Sequence, residues 1–134
     1  MKLDHLTVPV RDYDASKRFY LQALEPFGFS VLMDWHDKRR AYLGVAPQPS
    51  SLWLVESPGA GALEVSLAVD DRQSVEAFHR AAVAAGATSI HGPSIRPEHT
   101  HDYFAARVTD PDGNVLEAVH RTDAAARTVA QFAA

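Results

Sequence analysis

Between His5 and Val10 the chain alternates: Leu6, Val8 and Val10 are apolar, and His5, Thr7 and Pro9 stand between them. That two-residue period predicts a strand with one apolar face. Asp12 or Asp14 follows where a helix cap is needed, and Phe19, Tyr20, Ala23 and Leu24 then share one helical stripe before Pro26 and Gly28 stop it. "FSVLMDW", "RRAYLGVA" and "SLWLVE" read as three more strands, separated by a charged turn and by "PQPSS". After the break "SPGAG" the pattern restarts. "LEVSLAVDD" is again a strand, and Val75, Phe78, His79, Ala82 and Val83 line one face of a second helix that Gly86 ends. Strands follow at "TSIHG", "YFAARVTD" and "VLEAVHR", the last two joined by the turn "DPDG". The alanine-rich tail "TDAAARTVAQFAA" reads as helical.

The restart is a repeat of residues as well as of elements. At an offset of 59 residues His5 meets Glu64, Leu6 meets Val65, Val8 meets Leu67, Val10 meets Val69 and Asp12 meets Asp71. Phe19 meets Phe78, Ala23 meets Ala82 and Leu24 meets Val83 at the same offset. The chain is therefore an α+β domain of two tandem βαβββ modules, residues 1–58 and 62–121, with a helical tail at 122–134. Each module is a curved sheet with one helix on its outer face, so two modules together are expected to enclose a central cleft fit for a ligand.

Length and composition narrow the options. A chain of 134 residues, 46% hydrophobic and 22% charged, fits one domain with a real core. A net charge of −4 argues against a nucleic-acid or anionic-membrane partner. With no cysteine there is neither a disulfide framework nor thiolate chemistry. No apolar run reaches membrane-spanning length and "MKLDHLTVPV" lacks the apolar core of a signal peptide, so a cytoplasmic protein is expected.

The paired modules, His5 in the first strand, the "FY" and "FH" helices and "DPDGNVLEAV" near the end together resemble the vicinal oxygen chelate superfamily. That group includes glyoxalase I, extradiol dioxygenases, and fosfomycin and bleomycin resistance proteins. The resemblance covers residues 1 to about 121.

Alternation then sorts the polar residues. If Leu6, Val8 and Val10 lie under the helices, His5, Thr7 and Pro9 face the cleft. The same parity turns Glu64, Ser66 and Ala68 inward, as it does Val115, Glu117 and Val119. Buried carboxylates are costly unless paired or coordinating a cation, and two of them with a neutral imidazole make three ligands for a divalent metal. His5, Glu64 and Glu117 are thus the expected metal ligands, and the resemblance implies the same three strand positions. Histidine is the commoner residue in that family where Glu64 stands here. Trp53 fills the place of a frequent fourth ligand, and Glu56 falls on the outward parity. Oxygen-rich ligation favours Mn²⁺, Mg²⁺ or Fe²⁺ over Zn²⁺. The alternative is that His5 and Glu64 hydrogen-bond each other in a metal-free pocket.

Further candidates lie in "HGPSIRPEHTHDYF", residues 91–104. Arg96, His99, His101 and Tyr103 are placed to close over a substrate or move a proton, with Tyr103 favoured by its alternation with Ala105 and Arg107. Trp53 offers the cleft an aromatic wall. His79 reads as a core histidine, Trp35 and His36 as a hairpin tip at the cavity mouth, and Arg39 and Arg40 as solvated charges. Two functions follow. One is an enzyme — a lyase, isomerase or dioxygenase — whose divalent metal (Mn, Fe, Ni or Zn) on His5, Glu64 and Glu117 chelates adjacent oxygens of a small substrate. In it Glu117 or Tyr103 moves the proton, while Trp53, Arg96, Tyr103 and His99 bind substrate. The other is a metal-free binding protein of the drug-sequestering kind, with Trp53, Tyr103 and Trp35 against a flat ligand. The open module edges and the tail suggest a homodimer.

Overall fold

The computed structural model describes residues 3–47 and 51–122, so the tail helix expected from sequence lies, beyond Thr122, outside the described residues. The first module runs β1 (His5–Val10), α1 (Tyr13–Ala23), a 3₁₀ turn (Glu25–Phe27), β2 (Ser30–Trp35), a second 3₁₀ turn (His36–Lys38), β3 (Arg40–Gly44) and β4 (Ser51–Glu56). The second runs β5 (Glu64–Ala68), α2 (Arg72–Ala84), β6 (Thr88–Ile95), β7 (Phe104–Thr109) and β8 (Val115–His120). Two four-stranded sheets result, ordered β1-β4-β3-β2 and β5-β8-β7-β6. In each, the module's first strand lies parallel to its last, and the other pairs are antiparallel.

The repeat holds at the level of atoms. Asp12 caps α1 by accepting from the Ala15 amide at 3.0 Å, and Asp71 caps α2 by accepting from the Ser74 amide at 2.7 Å. Phe19 and Phe78, and Ala23 and Ala82, are all buried at matching places. Leu24 and Val83 part company: Leu24 is sealed in the core, whereas Val83 is 43% exposed. The second helix thus buries a narrower stripe, of Val75, Phe78 and Ala82, than its apolar residues predict. Strand β6 also extends past "TSIHG" to Ile95, accommodating two shifts of register against β7.

Both modules share one core. Val8, Val10, Ala41, Leu43, Leu52 and Leu54 from the first sheet join Val65, Ala106, Val108, Leu116 and Ala118 from the second, with both helices, in a single apolar cluster. Phe27 stacks on Phe78 with ring centroids 5.9 Å apart, welding the first module's 3₁₀ turn to the second module's helix. "DPDGN" proves to be the brace between the modules as well as a turn. Asp110, buried, accepts from the Tyr20 hydroxyl at 2.6 Å and from the Asn114 side chain at 2.8 Å. Asn114 in turn accepts from the amides of Gly61 and Leu63 and donates to the Pro9 carbonyl. Gly61 is held at φ 106°, and a Cβ there would stand 2.5 Å from the Asp112 carbonyl, so only glycine passes.

Candidate functional site on two helix-free sheet faces

Since the core takes one face of each sheet, the residues of opposite parity form two further faces that, among the described residues, have no helix over them. On the first, the ladder places Thr7 beside Trp53 and Trp53 beside Tyr42, while Arg40 pairs with Val55 and Trp35. Trp53 is the hub. Its ring lies 5.0 Å from His5, 4.8 Å from Tyr42 and 5.8 Å from Trp35, and the Arg40 guanidinium sits 6.0 Å from its centroid. These are the separations at which aromatic pairs and cation–π contacts add to plain burial. His5 also holds Asp4, Nδ1 to Oδ1, at 2.8 Å.

On the second face the same ladder brings polar groups together. Ser66 pairs with Glu117 and Glu117 with Arg107. Glu117, only 4% exposed, accepts through Oε1 from the Tyr103 hydroxyl at 2.6 Å and the Ser66 hydroxyl at 2.5 Å. Burial first, and then the Glu117 hydrogen bond and charge, raise the Tyr103 phenol above its ordinary pKa, so it stays protonated and donates. Arg107 closes an ion pair with Glu64 at 2.5 Å. Tyr103 is clasped between His99, whose ring is 4.6 Å away, and the Arg121 guanidinium at 4.8 Å. Tyr103, Ala105 and Val119 form a small apolar cluster of their own, apart from the main core.

The structure therefore groups the sequence-derived candidates in two sets. His5, Trp53 and Trp35 meet on the first face; Glu64, Glu117, Tyr103 and His99 meet on the second. Arg96 is turned to Glu98 at 2.9 Å, and His101 is exposed on the same loop. His5 and Glu64 do not bond each other: one holds Asp4 and the other Arg107. Glu56 stays on the helix side, accepting from the Tyr13 amide at 3.0 Å and pairing with Arg39. Within one chain the donors do not fit a metal. His5 lies on one sheet, Glu64 and Glu117 on the other, Glu64 is engaged by Arg107, and among the described residues no three His, Asp or Glu gather to hold an ion.

Arg39 and Arg40 are corrections. Arg39 is held between Asp14 and Glu56, both at 3.3 Å, and Arg40 lies over Trp53 with its Nε buried. Arg39 works on the helix side, and Arg40 at the wall because β3 directs it to the Trp53 side. Tyr42, Arg107 and Arg121 were missed as site residues. Alternation in "RRAYLGVA" carries Tyr42 and Arg40 on one parity, which is the signal that finds the first of them.

A profile of the Glyoxalase/Bleomycin resistance protein/Dioxygenase superfamily matches residues 2–118. A comparison with curated protein sequences returned no match. Among solved structures the chain resembles a glyoxalase/bleomycin resistance protein from Albidiferax ferrireducens T118, with a TM-score of 0.72 at 24% identity over 89% of this chain and 98% of that one. It also resembles TnmS3, an antibiotic binding protein from Streptomyces sp. CB03234, with a TM-score of 0.68 at 28% identity over 91% of this chain and 97% of that one. A glyoxalase/bleomycin resistance protein from the same Streptomyces strain aligns with a TM-score of 0.66 at 28% identity, covering 88% and 99% of the two chains.

Proposed function

The chain belongs to the glyoxalase/bleomycin resistance protein/dioxygenase superfamily, and we propose that within it the protein is a small-molecule binder that holds a flat, aromatic ligand. The observation that carries this reading is the cluster of His5, Trp35, Tyr42 and Trp53 on a sheet face that no helix of the described residues covers. Rings on an uncovered face offer stacking area that water cannot replace, and a flat ligand gains most from it. The likeness to an antibiotic binding protein at 28% identity supports a binding role. No bond is made or broken in this reading: the protein sequesters its ligand. We further propose that it works in the cytoplasm as a homodimer, a second copy covering part of the open faces, where Met33 is 54% exposed. Among the described residues no helix is long and apolar enough to cross a membrane.

The metal-dependent reading asks for more. A second copy would have to bring His5 of one protomer to Glu64 and Glu117 of the other, and Glu64 would have to leave Arg107. Equilibrium dialysis with fluorene, a flat tricyclic hydrocarbon, tests the binding reading. Wild type should bind it, and Trp53→Ala should lose roughly tenfold in affinity, about 1.4 kcal/mol of stacking and burial. Equal binding by both proteins, or none by either, would sink the proposal. A melting temperature raised by Mn²⁺, Fe²⁺, Ni²⁺ or Zn²⁺ in wild type but not in Glu117→Ala would bring back the enzyme.

A further inference from the structure

Four side-chain atoms among the described residues are buried without a hydrogen-bond partner: Trp53 Nε1, Arg40 Nε, Ser51 Oγ and Arg107 Nε. By strand parity all four residues sit on the helix-free faces, and three of them belong to the aromatic one. Trp53 Nε1 and Arg40 Nε are both N–H donors and nothing else, and their side chains are in cation–π contact. A buried donor left unpaired costs about 1–3 kcal/mol, so two on one wall need a reason.

The surroundings explain why the chain itself does not satisfy them. The groups packed on Trp53 are rings and a guanidinium. The nearby carboxylates are engaged elsewhere: Asp4 with His5, Asp34 with Lys17 and Tyr13, and Glu56 with Arg39 and the Tyr13 amide. Among the described residues Arg40 makes no ion pair, and its contact is the Trp53 ring. Its rings meanwhile pack on one another at 4.8–5.8 Å, so the Trp53 edge meets π-faces rather than acceptor oxygens.

Resting on the flat-ligand reading above, we infer that the ligand of this wall carries a hydrogen-bond acceptor, a carbonyl or anionic oxygen, on the edge that meets Trp53 and Arg40. On entering, it displaces ring–ring contacts with its own stacking and gives both stranded donors a partner. The opposite face supplies the contrast. One stranded donor, Arg107 Nε, stands there too, but its guanidinium is already paired with Glu64, whereas the aromatic wall holds two unpaired donors side by side.

Fluorenone and fluorene separate the two ideas, because they share a flat tricyclic frame and differ in a carbonyl against a methylene. In equilibrium dialysis with the full chain, wild type should bind fluorenone at least tenfold more tightly than fluorene. Trp53→Phe keeps a ring but removes the N–H, and should cut that preference at least threefold. Adding Arg40→Met should abolish it. Melting curves check that the variants fold; if the double variant does not, the loss of preference in Trp53→Phe decides alone. Equal wild-type affinity for both compounds overturns the acceptor inference and leaves the flat-ligand reading standing. Binding of neither overturns both, and a preference that survives in the double variant puts the acceptor site elsewhere and refutes this one.

Discussion

Trp53 and Glu117 hold the same place in their modules. Each is the third residue of its module's last strand, beside the third residue of the first strand, Thr7 in one case and Ser66 in the other. Each also neighbours the centre of the preceding strand, where Tyr42 corresponds to Arg107. The first face became a stack of rings and the second a knot of hydroxyls, carboxylates and guanidinia. Beneath them the central core partners stayed apolar, Leu6 with Leu52 and Val8 with Leu54 against Val65 with Leu116 and Leu67 with Ala118. The core side is constrained by close packing, where one methylene is felt, whereas the helix-free side is constrained only by what it must hold. Duplicated modules can therefore keep one fold and divide two chemistries between them.

The comparison breaks most visibly if matched core residues behave differently. Phe19→Ala and Phe78→Ala should each cost about 3–5 kcal/mol in urea unfolding, since both rings are buried at equivalent places. A loss under about 1 kcal/mol at either site would mean that the helices do not share their packing role. The pair that diverges sharpens the same point. Leu24→Ala should cost roughly 2–5 kcal/mol and Val83→Ala within about 0.5 kcal/mol, because one is sealed and the other 43% exposed.

On the faces the expectation reverses, with unequal consequences at equivalent positions. Trp53→Ala should lower fluorene affinity about tenfold, while Glu117→Gln, which retains an acceptor for Tyr103 and Ser66, should leave it within roughly twofold. Equal losses by dialysis would show that the ligand spans both faces or neither.

The smallest effect is one of pH. His79 and Tyr20 are counterparts on the two helices; burial, and then the charge of His91, hold His79 below its ordinary pKa of 6.5. Its folded form therefore takes up fewer protons than the unfolded chain, so the stability it contributes is present above pH 6.5 and declines as pH falls below it. Burial and Asp110 push the Tyr20 phenol upward instead, so it adds nothing to this window. His79→Gln, which keeps a partner for Ser89, should flatten the acid side of the melting-temperature profile. An unchanged slope would contradict the assignment.

Much of this was legible in the sequence because periodicity is local. Alternation found β1, β4, β5, β7 and β8 and sorted His5, Trp53, Glu64 and Glu117 to the helix-free side; of Asp12 and Asp14, the structure takes Asp12 as the cap of α1, and its repeat partner Asp71 caps α2. Parity states which residues share a face and cannot state whether two faces meet. That depends on contacts between modules, made here by Phe27 on Phe78 and by Asp110 and Asn114, whose motif reads locally as a turn. Arg40 was legible only as a charge, since its place over Trp53 comes from pairing β3 with β4.

The most direct test of the aromatic wall uses the chain's own reporters, because its 2 tryptophans, Trp35 and Trp53, both stand there. Titrating Trp35→Phe and Trp53→Phe separately with fluorenone, and following the emission of the remaining indole, reads the ligand at the wall itself. Saturable quenching in both variants, at the concentrations where dialysis shows binding, is the predicted result. Binding by dialysis with both emissions unchanged would place the ligand away from Trp53 and contradict the account.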